Sequence, residues 1–172
     1  MLRSLVGSEM CIRDRVYALK YAVRSDRTRK DSFIFDDHSN DNHTIDYFIW
    51  VLKSEDSIIV VDTGFDYDEA KRRDIPIERS PSEALKFINI NSADVTDVII
   101  THLHYDHAGG LSEFPKANFH LQEDEMAYAT GPCMCHETIQ KPFTGEHVCQ
   151  MVTSLYSGRV VFHNGIGSIQ PG

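Results

Sequence analysis

Four candidate metal donors crowd into six residues, His102, His104, Asp106 and His107, within the run Thr101-His102-Leu103-His104-Tyr105-Asp106-His107-Ala108-Gly109-Gly110. They follow Val98-Ile99-Ile100, a short β-branched stretch that reads as a buried strand. His102 and His104 differ by two, so an extended chain projects both to the same side. Asp106 and His107 come after the turn, where a loop can swing them toward a second point. Imidazoles plus a carboxylate, with no thiolate among them, suit zinc or another first-row metal. Ala108-Gly109-Gly110 lets backbone pack closely beside such a centre. A His-rich surface loop that binds nothing is the bland alternative, and it explains neither the strand end nor the glycines. The spacing therefore predicts two ligands for each of two adjacent ions.

The pattern H-x-H-x-D-H-x-G-G resembles the signature of the metallo-β-lactamase superfamily. Upstream, Ile58-Ile59-Val60-Val61-Asp62-Thr63-Gly64 is similar to that superfamily's strand followed by D-T-G. Tyr47-Phe48-Ile49-Trp50, Phe119-His120-Leu121-Gln122 and Glu125-Met126-Ala127-Tyr128-Ala129 resemble the N-acyl homoserine lactonase branch. The resemblance runs from about Val16 to the end and implies an α/β fold, the four-layer αββα sandwich. Residues 16–172 would form the N-terminal part of that domain, roughly its first half to two-thirds.

The resemblance further implies that His102 and His104 hold one ion and Asp106 and His107 the other. The cofactor would be two Zn2+ or another first-row divalent metal. Metal binding lowers the pKa of a bound water toward 7, and a second ion polarises the carbonyl. The implied activity is a zinc-dependent hydrolase that opens a lactone or related ester by a metal-bound hydroxide. Asp106 is the implied catalytic residue, passing the proton to the leaving alkoxide. Asp62 reads either as a group that orients a ligating histidine or as a turn residue closing its strand. The superfamily's remaining ligands, two histidines and a bridging aspartate, cannot be placed, because His120, His136, His147 and His163 lack the glycine-flanked context. A chain of this extent is thus expected to be a fragment with little activity of its own.

Other readings stay open within this resemblance. Thioester hydrolysis of the glyoxalase II kind would need a basic patch for glutathione carboxylates, and none is apparent along the sequence. A mononuclear iron sulfur dioxygenase has a similar motif, and metal identity separates it from the hydrolases. Diiron oxidoreductase relatives put glutamate where His104 stands, which disfavours them. A non-catalytic scaffold with an incomplete metal site is the remaining reading.

Residues 1–15 are expected to be a non-native leader. Leu5-Val6-Gly7-Ser8-Glu9-Met10-Cys11-Ile12-Arg13-Asp14 resembles the translation of a transposase adapter used in sequencing-library preparation. The segment lacks the apolar core of a signal peptide. The net charge of −9 becomes −10 without these fifteen residues, which carry three basic and two acidic side chains. An acidic chain lacks the broad positive field that nucleic-acid backbones require, so a small-molecule substrate is expected. No apolar run approaches a membrane span. Cys133, Cys135 and Cys149 remain, an odd number without disulfide-framework spacing, which fits a reducing cytoplasm. Cys133-Met134-Cys135-His136 is not a common zinc spacing and reads as loop thiols.

The remaining pattern predicts a strand at Val16–Val23, a polar loop from Arg24 to Thr44, and a hairpin of Tyr47–Leu52 with Ser57–Asp62. Ser80-Pro81-Ser82-Glu83 marks a helix start with a capping box, and that helix is expected to end near Asn91. A strand over Asp97–Thr101 carries the histidine cluster. Phe114–Leu121 contains another strand, in which His120 reads as a packed, hydrogen-bonded residue, and Glu123–Thr130 a short helix. Val148, Met151, Val152, Leu155 and Tyr156 predict one core stripe on a helix from Gly145 to Ser157. Val160–Phe162 begins a last strand.

Overall fold

Residues 14–169 are described in the computed structural model. The expected leader lies outside them except for Asp14 and Arg15, and Arg15 pairs with Lys53 at the edge of the first strand pair. Six strands form one sheet: β1 (Arg15–Arg24), β2 (Ile45–Lys53), β3 (Ile58–Val61), β4 (Asp97–Ile99), β5 (Asn118–Gln122) and β6 (Val160–His163). Their order across the sheet is their order along the chain. β1, β2 and β3 run antiparallel, and β3 through β6 run parallel.

Parallel neighbours need a crossover, and each of the three crossovers carries at least one helix. The helices are α1 (Tyr67–Arg73), α2 (Pro81–Lys86), α3 (Tyr105–Ala108), α4 (Glu123–Ala129), α5 (Glu137–Gln140) and α6 (Gly145–Tyr156). α2 packs against β1, α4 against β5, and α6 against β6. Tyr47, Ile49 and Val51 of β2 are buried, whereas the alternate Phe48, Trp50 and Leu52 remain 39%, 46% and 37% exposed. One face of the sheet therefore carries the core, which includes Tyr21, Val60, Phe65, Val98, Leu103 and Phe119. No helix among the described residues is long and apolar enough to cross a membrane.

The predicted hairpin and strands lie where the alternation placed them, within two residues. The Ser80 side chain accepts from Glu83 N, and the Glu83 carboxylate accepts from Ser80 N, so the capping box forms. The helix stops at Lys86, short of the expected Asn91, and Asn89 turns the chain with a φ of +57°. α1 was not anticipated. Its signature is Asp66 at the N-cap, acids in the first turn and Lys71-Arg72-Arg73 in the last, which complements the helix dipole.

The stripe expected on α6 is rotated. His147, Met151 and Ser154 are the buried residues, Val148, Val152 and Leu155 flank them, and Tyr156 is 89% exposed. On the buried face, His147 Nε2 lies 3.8 Å from the carboxylate of Glu69, itself 1% exposed. His120 is packed as expected, with Nε2 donating toward Asp97 at 2.9 Å and Nδ1 3.0 Å from His163 Nε2. All three cysteines outside the leader are exposed and free.

Burial holds the His147 imidazole below the usual histidine range, against the pull of Glu69. The unfolded chain titrates there near pH 6.5, so between the two values it binds more protons than the folded chain. The His147 contribution is thus complete above about pH 6.5 and is lost as pH falls through the depressed folded value. Urea midpoints measured from about pH 7 down to about pH 5 should fall. His147→Gln should flatten that slope, and an unaltered slope would remove His147 from the acid response.

Candidate metal centre

The D-T-G turn and the H-x-x-G-G turn are built against each other. Thr63 N donates to His107 O at 2.7 Å, Gly109 N to Gly64 O at 2.7 Å, and Gly110 N to Thr63 Oγ1 at 3.1 Å. A Cβ on Gly110 would stand 2.5 Å from Thr63 O, so the approach requires glycine there. Asp62 ends β3 with a φ of +62°, a conformation that aspartate tolerates better than most residues. That turn points its carboxylate, 5% exposed, at the histidine motif.

Asp62 closes its strand, and its carboxylate also meets His107. Its Oδ1 accepts from Thr101 N at 2.8 Å and Thr101 Oγ1 at 2.9 Å, and its Oδ2 lies 2.7 Å from His107 Nδ1. A carboxylate accepts only, so His107 carries its proton on Nδ1 and leaves Nε2 as a free lone pair. Thr101 spends its hydroxyl proton on Asp62. Its oxygen, 3.0 Å from His102 Nδ1, therefore accepts from that nitrogen and frees His102 Nε2 as well. One buried carboxylate sets two imidazoles in the same tautomer.

The four donors are neighbours. The His102 and His104 rings are 4.4 Å apart, the His102 and His107 rings 3.8 Å, and Asp106 Oδ2 lies 3.6 Å from His107 Nε2. His102 thus stands between His104 and His107, nearer to His107, and the four donors form one cluster without separating into the two expected pairs. Among the described residues, however, no three His, Cys, Asp or Glu side chains close around a single point. Asp106 and His107 do not ride on a loop: His104 precedes α3, and both residues sit on that short helix. Burial, and then the adjacent His107, hold His102 below the usual histidine range. Burial, and then His102, do the same for His104. For His107, burial is the largest single influence and lowers the value, but the bond to Asp62 together with the charges of Asp62 and Asp106 makes the net shift upward. Three imidazoles beside a carboxylate are a donor set that suits a first-row divalent cation, and the Asp62 contact would raise the basicity of His107 toward one.

Several supporting residues carried no signal in the motif. Glu125 on α4 accepts from Leu103 N at 2.7 Å and pins the amide between His102 and His104. Tyr21 donates to Asp106 O at 3.3 Å, and the Tyr47 and Tyr105 hydroxyls lie 3.1 Å apart, so Tyr105 packs inward. Arg73 lays its guanidinium 3.8 Å from the centre of the Tyr105 ring. The same guanidinium donates to Lys141 O, Phe143 O and Thr144 Oγ1, and to buried Glu69. Phe143 in turn meets the His104 ring edge-on at 4.7 Å. Arg72, Arg73 and Lys141 also line a cavity of about 630 Å³. Arg73 and Lys141, 68 positions apart in the chain, thus come together at one cavity, a grouping that chain order conceals.

The sequence profile of the metallo-beta-lactamase superfamily matches residues 46–147, more than half of the chain. The chain belongs to that superfamily. It is 28% identical to a hydroxyacylglutathione hydrolase from Saccharophagus degradans over 103 residues, 59% of this chain and 32% of the relative. It is 42% identical over 48 residues to the N-acyl homoserine lactonase AttM of Azorhizobium caulinodans, 28% of this chain and 18% of that one. A probable metal-dependent hydrolase from Staphylococcus aureus superposes with a TM-score of 0.71 at 15% identity, covering 93% of this chain and 62% of its own. An N-acyl homoserine lactone hydrolase, solved with N-hexanoyl-L-homoserine at its catalytic metal centre, gives 0.63 at 17% identity, covering 92% and 62%. At such identities the structural likeness shows the metallo-β-lactamase fold. The superfamily chain described here spans about a third of the first of these relatives and less than two thirds of either structure.

Proposed function

We propose that the protein is a metal-dependent hydrolase that opens a lactone of the N-acyl homoserine type or a related ester. The carrying observation is the shared carboxylate of Asp62, which leaves Nε2 of both His102 and His107 as lone pairs beside His104 and Asp106. His102, His104, Asp106 and His107 would hold two zinc or similar ions. Such ions, when bound, supply an activated water and polarise the carbonyl. Asp62 keeps the proton of His107 on Nδ1 and so fixes the direction of its free nitrogen. Asp106 stands beside that nitrogen with its side chain 23% exposed, open enough to pass a proton to a leaving oxygen. Water adds across the ester bond, and the lactone leaves as a hydroxy acid. The lactonase similarity in sequence and fold supports this reading.

Thioester hydrolysis is the second reading, and it is favoured by the relative matched over 103 residues. The activity belongs to the whole protein, and the 172-residue chain alone is proposed to turn over little. Three exposed thiols without a partner cysteine support a cytoplasmic location. The deciding experiment combines metal analysis by mass spectrometry with turnover of N-hexanoyl homoserine lactone and a glutathione thioester. Bound zinc with lactone opening supports the proposal, whereas thioester turnover alone moves it to the second reading. Iron with neither hydrolysis would overturn both.

A further inference from the structure

Three of the 17 basic residues of the chain line the cavity of about 630 Å³, and no acidic residue lines it. In a chain of net charge −9 this is an island of opposite sign. Its three cations are not equally free. Arg73 is committed to buried Glu69, while Arg72, its side chain 50% exposed, pairs with Glu146 at 3.1 Å on the rim and turns its Nε to within 3.4 Å of Glu69. Lys141 has no side-chain partner among the described residues. An exposed pair such as Arg72 with Glu146 is weak, so an incoming anion can share that guanidinium. The other wall is apolar, formed by Met134, Phe143 and Val148. The volume falls within the roughly 300–1,000 Å³ of small-molecule sites, which combine apolar walls with a few polar groups.

Phe143 belongs to both places. It lines the cavity, and its ring meets the edge of His104. Arg73 ties the segment carrying Phe143 to α1 through the carbonyls of Lys141 and Phe143, so the cavity's edge lies beside His104.

We propose that this cavity binds the non-reacting end of an acyl substrate, an alkyl segment that ends in a carboxylate. Lys141 and Arg72 hold the carboxylate, and Met134, Phe143 and Val148 hold the alkyl part. The word substrate rests on the hydrolase reading, whereas the binding site itself does not. The test is therefore a binding test that needs neither metal nor turnover.

Octanoylglycine and its methyl ester share the alkyl chain and differ in the charge. Titrated into the purified chain by calorimetry or amide NMR, the acid should bind at least about tenfold tighter than the ester. Lys141→Glu should abolish that preference, and Lys86→Glu, which makes the same change in net charge outside this cavity, should preserve it. Lys141→Gln, which removes only the charge, keeps the test available if the reversed charge disturbs folding. Equal affinity for acid and ester, no binding of the acid, or a preference that survives at both Lys141 variants would overturn the proposal. Selective binding without lactone or thioester turnover would leave the site standing and count against the hydrolase reading alone.

Discussion

Arg73→Ala is expected to destabilise the chain by about 3 kcal/mol, because breaking a buried ion pair strands its other charge. The stranded group is Glu69, 1% exposed, whose Oε1 is held by Arg73 and by Thr144 Oγ1 at 2.9 Å. Its Oε2 is already without a hydrogen bond, with Arg72 Nε 3.4 Å away. Losing Arg73 also removes the guanidinium from the Tyr105 ring and three bonds from the segment that carries Phe143. Urea unfolding followed by circular dichroism measures the loss. Arg73→Lys should recover only part of it, since an ammonium cannot stack flat and fork at once. Replacing both partners, Arg73→Met with Glu69→Met, should cost less than Arg73→Ala alone, because no charge is then left buried. A single-variant cost below about 1 kcal/mol would show that Arg72 takes over the neutralising role, the level expected of an exposed pair.

Asp62→Asn should weaken zinc binding by about 10- to 100-fold, the usual cost of removing the partner that orients a ligating imidazole. Asparagine tolerates the same positive φ, so the substitution tests charge and proton placement instead of backbone strain. An amide oxygen can still accept from Thr101, but it cannot neutralise a bound cation through His107. Competition against a chromophoric chelator reads the affinity directly. Unfolding of the metal-free variant, measured beside it, separates a lost ligand geometry from a lost fold. Unchanged affinity would mean that His107 is oriented by its place on α3 and not by the carboxylate.

Motif and alternation made much of this legible before any coordinates. The strand ends, the Ser80 capping box and the four clustered donors are local features, and each depends on residues within a few positions. Asp62 was visible because a strand ran into it, although its partner His107 stands 45 residues away. What could not be read is what the fold brings together from a distance. Arg73 reaches across to Thr144, and α6 buries His147 beside Glu69 where its apolar stripe was expected to face inward. Glu125 was noted only as part of a resemblance, and nothing local tied it to the Leu103 amide. Hydrophobic periodicity ranks faces by oil content alone and takes no account of a buried carboxylate opposite.

The sheet whose strand order repeats the chain order has a consequence for synthesis. Each strand after the first pairs with the one made just before it, so its partner can be in place when it leaves the ribosome. Contacts formed between successive strands involve shorter loops than a sheet that must wait for a distant partner. By the time Gly110 emerges, Asp62 and Thr101 can already hold His107, so the histidine turn can set early. The Phe143 wall arrives more than thirty residues later. A stalled nascent chain ending between those points would carry the metal-binding turn without the cavity beside it.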